Sequence, residues 1–175
     1  MKRITAYTDG SCLNKSGPKA GSGPGGWAYL FEAESDRGVL FVFERSGGDA
    51  HTTNNKMEMQ SIIQLLKDLP EGCDVTIYSD SQYVLKSITK NIDIDSWLSK
   101  KEDIDGWIRK SIDRLWRTDA KNLDLWQQLV EEMYRHFNVK SRFNFRWVKG
   151  HSGHPQNEKV DTLARDEATK FLRKK

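Results

Sequence analysis

The chain has 175 residues, 37% of them hydrophobic and 30% charged, which is enough for one domain whose core needs no disulfide or metal staple. Its 28 basic residues against 25 acidic ones leave a formal charge of +3, so bulk charge alone establishes no nucleic-acid partner but is compatible with a basic face beside an acidic pocket. No apolar run approaches the roughly 20 residues that span a bilayer, Asp9 arrives too early for a signal-peptide core, and Cys12 and Cys73 are too few for a disulfide framework. A soluble, cytoplasmic chain with reduced thiols and no membrane partner is expected.

In chain order, Arg3 to Thr8 reads as a short strand, followed by a turn at Asp9-Gly10-Ser11. Residues 14–26 are rich in glycine and proline and read as a loop. Trp27 to Glu32 and Val39 to Glu44 are β-branched and aromatic runs split by Ser35-Asp36-Arg37-Gly38, which predicts an antiparallel hairpin or meander with the first strand. Thr52 to Asn55 supplies helix caps, and Ile62, Ile63, Leu65, Leu66 and Leu69 recur at helical spacing to about residue 69. Pro70-Glu71-Gly72 ends that helix. A strand at 75–79 and a short helix at 81–88 follow. Residues 90–117 are mixed, with one amphipathic stripe at Ile104, Ile108, Ile112 and Leu115. Asp124 to Phe137 reads as a helix, Phe143 to Val148 as a strand and Glu158 to Leu172 as a closing helix. This order predicts an α/β domain with a mixed sheet flanked by helices.

Four acids stand out within that frame. Tyr7-Thr8-Asp9-Gly10-Ser11 and Tyr78-Ser79-Asp80-Ser81-Gln82 are parallel texts, each a strand ending in a hydroxyl residue and then an aspartate. Ligands gather at the carboxyl ends of parallel strands; either aspartate alone reads better as a turn or cap residue, and it is the matched pair that points to a site. Glu58 lies four positions before Ile62 and seven before Leu65, on the apolar face of its helix, where a carboxylate needs a partner. Asp161 heads the stripe Val160, Leu163, Ala164, Ala168 and Phe171 in the same manner. The milder reading of both is an acid favoured by the helix dipole. Converged, the four would repel one another unless cations sat between them, and all-oxygen ligands favour Mg²⁺, Mn²⁺ or Ca²⁺. His151, in the glycine-bracketed loop 147–157, is placed to shuttle a proton. A zinc site from His151, His154, Cys12 and Cys73 is disfavoured, because the cysteines are too far apart for a finger or ribbon.

These motifs, Thr8-Asp9-Gly10-Ser11-Cys12, Thr53-Asn54-Asn55-Lys56-Met57-Glu58, Tyr78 to Val84, and Trp147 to His154 through Asn157-Glu158 and Asp161 to Ala164, together resemble bacterial-type ribonuclease H (ribonuclease HI) over nearly the whole chain. The resemblance implies a ribonuclease H-like fold over a single domain, 1–175, with a five-stranded mixed sheet in the order 3-2-1-4-5 and helices on both faces. It implies an endoribonuclease that cuts the RNA strand of RNA–DNA hybrids and leaves 5′-phosphate and 3′-hydroxyl ends. Asp9, Glu58, Asp80 and Asp161 would hold two Mg²⁺ ions, with Mn²⁺ a possible substitute and Asp9 bridging, while His151 assists proton transfer or product release. Asn14, Asn54, Asn55 and Gln82 would contact the RNA strand, Thr53 a phosphate of the DNA strand, and Asn157 the substrate. The resemblance implies a helical handle at about 90–121 whose Trp107 and Trp116 either stack on the substrate's sugars or pack the handle against its own helix. The loop after Ser11 is longer than the family's usual turn. The segment 86–121 carries nine basic against seven acidic residues, so a shallow salt dependence is expected. A monomer is expected. The alternatives are another clustered-carboxylate nuclease of the same fold, or a non-catalytic hybrid-binding module.

Overall fold

The computed structural model describes residues 2–13, 22–38, 40–85, 122–150 and 153–172. Five strands, β1 (Arg3–Cys12), β2 (Ser22–Glu34), β3 (Leu40–Thr53), β4 (Asp74–Ser79) and β5 (Arg142–Trp147), form one sheet in the order β3-β2-β1-β4-β5. β1 pairs antiparallel with β2 and parallel with β4, β2 pairs antiparallel with β3, and β4 pairs parallel with β5. The helices are α1 (Asn54–Asp68), α2 (Leu123–Asn138) and α3 (Pro155–Lys170). The expected strand order and the placement of helices on both faces are what the structure has.

Alternation along the strands separates two cores. Ile4 and Ala6 of β1, Trp27, Tyr29, Phe31 and Ala33 of β2, Val75 and Ile77 of β4 and Phe143 of β5 face α1 and α2. Ala28 and Leu30 of β2 face the other way and meet Val160 and Ala164 of α3. β2 is therefore buried on both faces, which is why its apolar residues run continuously.

The strands are longer than their apolar runs. β1 continues through Asp9-Gly10-Ser11, which is no turn, and residues 22–26 belong to β2 rather than to a loop. β3 likewise runs on through Gly47-Gly48 to Thr53. Glycine here marks close approach rather than a break. A Cβ on Gly26 would lie 2.0 Å from the carbonyl oxygen of Ala164, so the missing side chain lets α3 rest directly on the sheet. Only the helical turn at 82–85 of the predicted 81–88 helix falls within the described residues.

The C-terminal ends of α1 and α2 are tied by a buried polar network. His136 is fully buried, and burial holds its pKa below the ordinary histidine value, so the ring is neutral. Its Nε2 faces the Leu66 carbonyl and its Nδ1 lies 3.2 Å from Ser141 Oγ, which itself accepts from Gly72 N at 3.0 Å. This pattern assigns the proton to Nε2, with the Ser141 hydroxyl donating to Nδ1. Ser141→Ala would leave two buried groups unsatisfied, so unfolding free energy is expected to fall by about 2 kcal/mol. Urea denaturation tests this, and an unchanged midpoint would show that the network contributes nothing.

Candidate active site

Strand register brings the two aspartates together. Tyr7 pairs with Tyr78 and Thr8 with Ser79 across the parallel β1–β4 ladder, so the next residues, Asp9 and Asp80, are neighbours. The Tyr7 and Tyr78 rings stack on one face with centroids 5.3 Å apart. Asp9 and Asp80, two residues further on, point to that same face.

Glu58 arrives from α1. Thr53 caps the helix, its Oγ1 accepting from Lys56 N at 3.2 Å, and starts the helix where the chain leaves β3. A Cβ on Gly10 would lie 2.3 Å from Glu58 N, so only glycine lets the helix sit this close to the end of β1. The result is a group of carboxylate oxygens, one each from Asp9, Glu58 and Asp80, all within 4.8 Å of one another. Asp161 from α3 lines the same cavity, together with Thr8, Gly150 and Asn157. Arg165, one turn further along α3, donates to Asp161 Oδ2.

The electrostatics are those of a site short of positive charge. Burial, then the Asp80 carboxylate, and to a smaller extent Asp161, push the Asp9 pKa up to about 8. Glu58 is raised well above the carboxylate range by burial and by Asp9 and Asp80. Among the described residues, Glu58 Oε2, Thr8 Oγ1 and Asn157 Nδ2 are buried without a hydrogen-bond partner. A buried orphan acceptor beside two further carboxylates fits a hard divalent cation, which takes oxygen ligands and repays their desolvation.

The other predicted residues sit around this centre. Asn54 and Asn55 are exposed in the first turn of α1, and Gln82 is exposed two residues after Asp80. Asn157 is in the first turn of α3. Asn14, His151, Trp107 and Trp116, like the 90–121 handle and residues 14–21, lie outside the described residues. Three contributors escaped the sequence reading. Thr8 was passed over in favour of the aspartate after it. Gly150, which in sequence only brackets a loop, stands so close that a Cβ on it would lie 3.0 Å from Asp80 Oδ2. Arg165 carried a usable signal, a base four residues after an acid on one helix.

Fold and site together define an α/β protein that presents clustered carboxylates at the carboxyl ends of two adjacent parallel strands, a centre suited to divalent cations. The ribonuclease H family model matches residues 1–169, and the chain belongs to that family. It is 40% identical over 171 residues to a ribonuclease H of Campylobacter curvus, covering 98% of this chain and 96% of that protein. It is 41% identical over 169 residues to a ribonuclease H of Hahella chejuensis, covering 94% and 92% respectively. Among solved structures it is similar to LC9-RNase H1, described as a type 1 RNase H with the type 2 active-site motif, with a TM-score of 0.70 and 26% identity over 97% of this chain and 74% of that one.

Proposed function

We propose that this enzyme hydrolyses the RNA strand of RNA–DNA hybrids endonucleolytically, leaving 5′-phosphate and 3′-hydroxyl ends, with two divalent ions held by Asp9, Glu58, Asp80 and Asp161. The observation that carries the reading is the three-acid group of Asp9, Glu58 and Asp80, with Glu58 buried and one of its oxygens unpartnered. Mg²⁺ is the proposed ion, with Mn²⁺ as a substitute, because both accept an all-carboxylate set. When bound, such ions polarise the phosphodiester and lower the pKa of the attacking water.

The chain's own residues divide the remaining work. Asp9, with a carboxylate oxygen within 4.8 Å of those of Glu58 and Asp80, would be the ligand the two ions share. The Arg165 contact holds the Asp161 carboxylate over the cavity. His151 is proposed to move the proton. Asn14, Asn54, Asn55 and Gln82 are amides that can both donate to and accept from 2′-hydroxyls, the groups that mark RNA in a hybrid's shallow minor groove. Asn157, whose buried amide nitrogen lacks an acceptor, is proposed to donate to the substrate backbone. Thr53 is proposed at the DNA strand, and Trp107 and Trp116 of the handle against the hybrid. Among the described residues no helix is long and apolar enough to cross a membrane. A single-domain cytoplasmic monomer is the proposed working form.

The test is digestion of an end-labelled RNA–DNA hybrid, with DNA duplex and RNA duplex as controls. Cleavage of the hybrid's RNA strand alone, lost on chelation and restored by Mg²⁺, is expected. Equal cutting of the DNA duplex would replace this reading with a general carboxylate nuclease. Binding without cutting in Mg²⁺ would replace it with a binding module.

A further inference from the structure

Among the described residues, only half of the sheet face that carries Asp9 and Asp80 is covered by a helix. α3 packs over β1, β2 and β3. Beyond it, β4 and β5 present three cross-strand rows on that face, Asp74–Arg142, Thr76–Asn144 and Tyr78–Arg146. The next position along this face, one residue past the end of β4, is Asp80. Arg142, Asn144 and Arg146 are all exposed, and Lys140 and Lys149 are exposed just beyond either end of β5. Among the described residues, none of these four cations is in an ion pair, as is also true of Lys2, Arg3, Arg37, Lys56 and Lys67, but these four lie together along β5 and just beyond its ends. Asp74 is the acid in register with Arg142, and it offsets part of one charge.

At a rise of about 3.3 Å per residue, Arg146 sits one row, or about 7 Å, from the Asp80 row, and Arg142 about 13 Å further along. The strip is therefore continuous with the acid centre and opposite in sign to it. An RNA strand whose scissile phosphate lies at the acids must carry its next phosphates away over some neighbouring surface, and this one is unpaired, basic and open. The stacked Tyr7 and Tyr78 rings form its floor beside Arg146. Charges on an edge strand also guard against sheet-to-sheet association, and that is the competing explanation. The opposite edge is mixed: Leu40, Phe41, Val42 and Phe43 of β3 are 50–58% exposed, followed by the exposed charges Glu44 and Arg45.

We propose that the open β4–β5 face, through Arg142 and Arg146 with Lys140 and Lys149 at its ends, binds the backbone of the RNA strand beyond the cleaved bond. The inference rests on the ribonuclease reading above. The test uses Arg142→Gln/Arg146→Gln in the full chain, on hybrids cut near the end of their RNA strand. The hybrids are blunt, extended by a few nucleotides of RNA, or extended equally in DNA.

For wild type, the RNA extension is expected to lower KM several-fold while the DNA extension does not. The double variant is expected to lose that advantage, with the loss in KM rather than kcat. Its log–log salt slope on the RNA-extended hybrid should fall by about 1.5, as for two phosphate contacts. Arg142→Lys/Arg146→Lys should restore the slope. Equal losses on all three hybrids would overturn the assignment, as would unchanged kinetics with increased aggregation, which is the edge-guard outcome. A wild type that cuts none of the hybrids would show that the ribonuclease reading itself has failed, and the strip would fall with it.

Discussion

Replacing Asp9 by asparagine is expected to abolish hybrid cleavage while raising the thermal midpoint of the metal-free protein. The two effects share one cause. Asp9 is buried next to Asp80 and Glu58, and its pKa of about 8 reports how poorly the fold tolerates its charge when no cation is present. The amide keeps the shape and the short-range polarity but removes the charge that repels Asp80 and Glu58. A gain of a few kcal/mol would raise the midpoint by about 5 °C or more in a chain of this size. The carboxylate that is costly to the empty fold is the one a divalent ion needs, so activity should fall by at least about 1,000-fold, or about 4 kcal/mol in the barrier. Calorimetry and single-turnover cleavage read the two effects separately. Retained activity would remove Asp9 from the metal site, and a lowered midpoint would show that its carboxylate stabilises the empty fold.

The second expected result is a pH dependence that metal flattens. Asp9 has a folded pKa of about 8 against an ordinary value of 3.8. A group shifted upward in this way favours folding while protonated. Its contribution is complete below about pH 4 and is lost as pH rises towards 8. Glu58 is shifted in the same direction and adds to the effect. The metal-free protein should therefore lose stability between pH 5.5 and 8.5. Divalent ions compete with those protons, so saturating Mg²⁺ should raise the midpoint little at pH 5.5 and strongly at pH 8.5. In Asp9→Asn both trends should flatten. Thermal melts across this range, with and without Mg²⁺, check the prediction. A metal-free midpoint independent of pH would mean that the carboxylates are better solvated than their burial implies.

The acids could be read before the fold was seen because each broke a local rule. Glu58 puts a charge on an apolar helical face, and Asp9 and Asp80 follow two β-runs that close with the same aromatic–hydroxyl text. What could not be read was how near they lie to each other. That depends on the β1–β4 register, which pairs Thr8 with Ser79, and on Gly10, whose missing side chain lets α1 rest on β1. Neither is a property of any short segment.

The reading of residues 22–26 as loop failed for a related reason. Glycine and proline signal a break when only neighbours in sequence are considered. Here Gly25 and Gly26 hydrogen-bond across to β3, and α3 presses against Gly26. The basic strip on β5 was equally hidden. Arg142 and Arg146 are ordinary surface residues in sequence, and acquire their proposed role only from the sheet face they share with Asp80.

Composition, periodicity and motif spacing were thus sufficient for the α/β class, the helices to within a few residues and the identity of the acids, since burial and propensity act locally. The extent of the strands, the mutual distances of the carboxylates, the raised pKa of Asp9 and the open basic face came from the assembled sheet, because each depends on contacts between segments tens of residues apart.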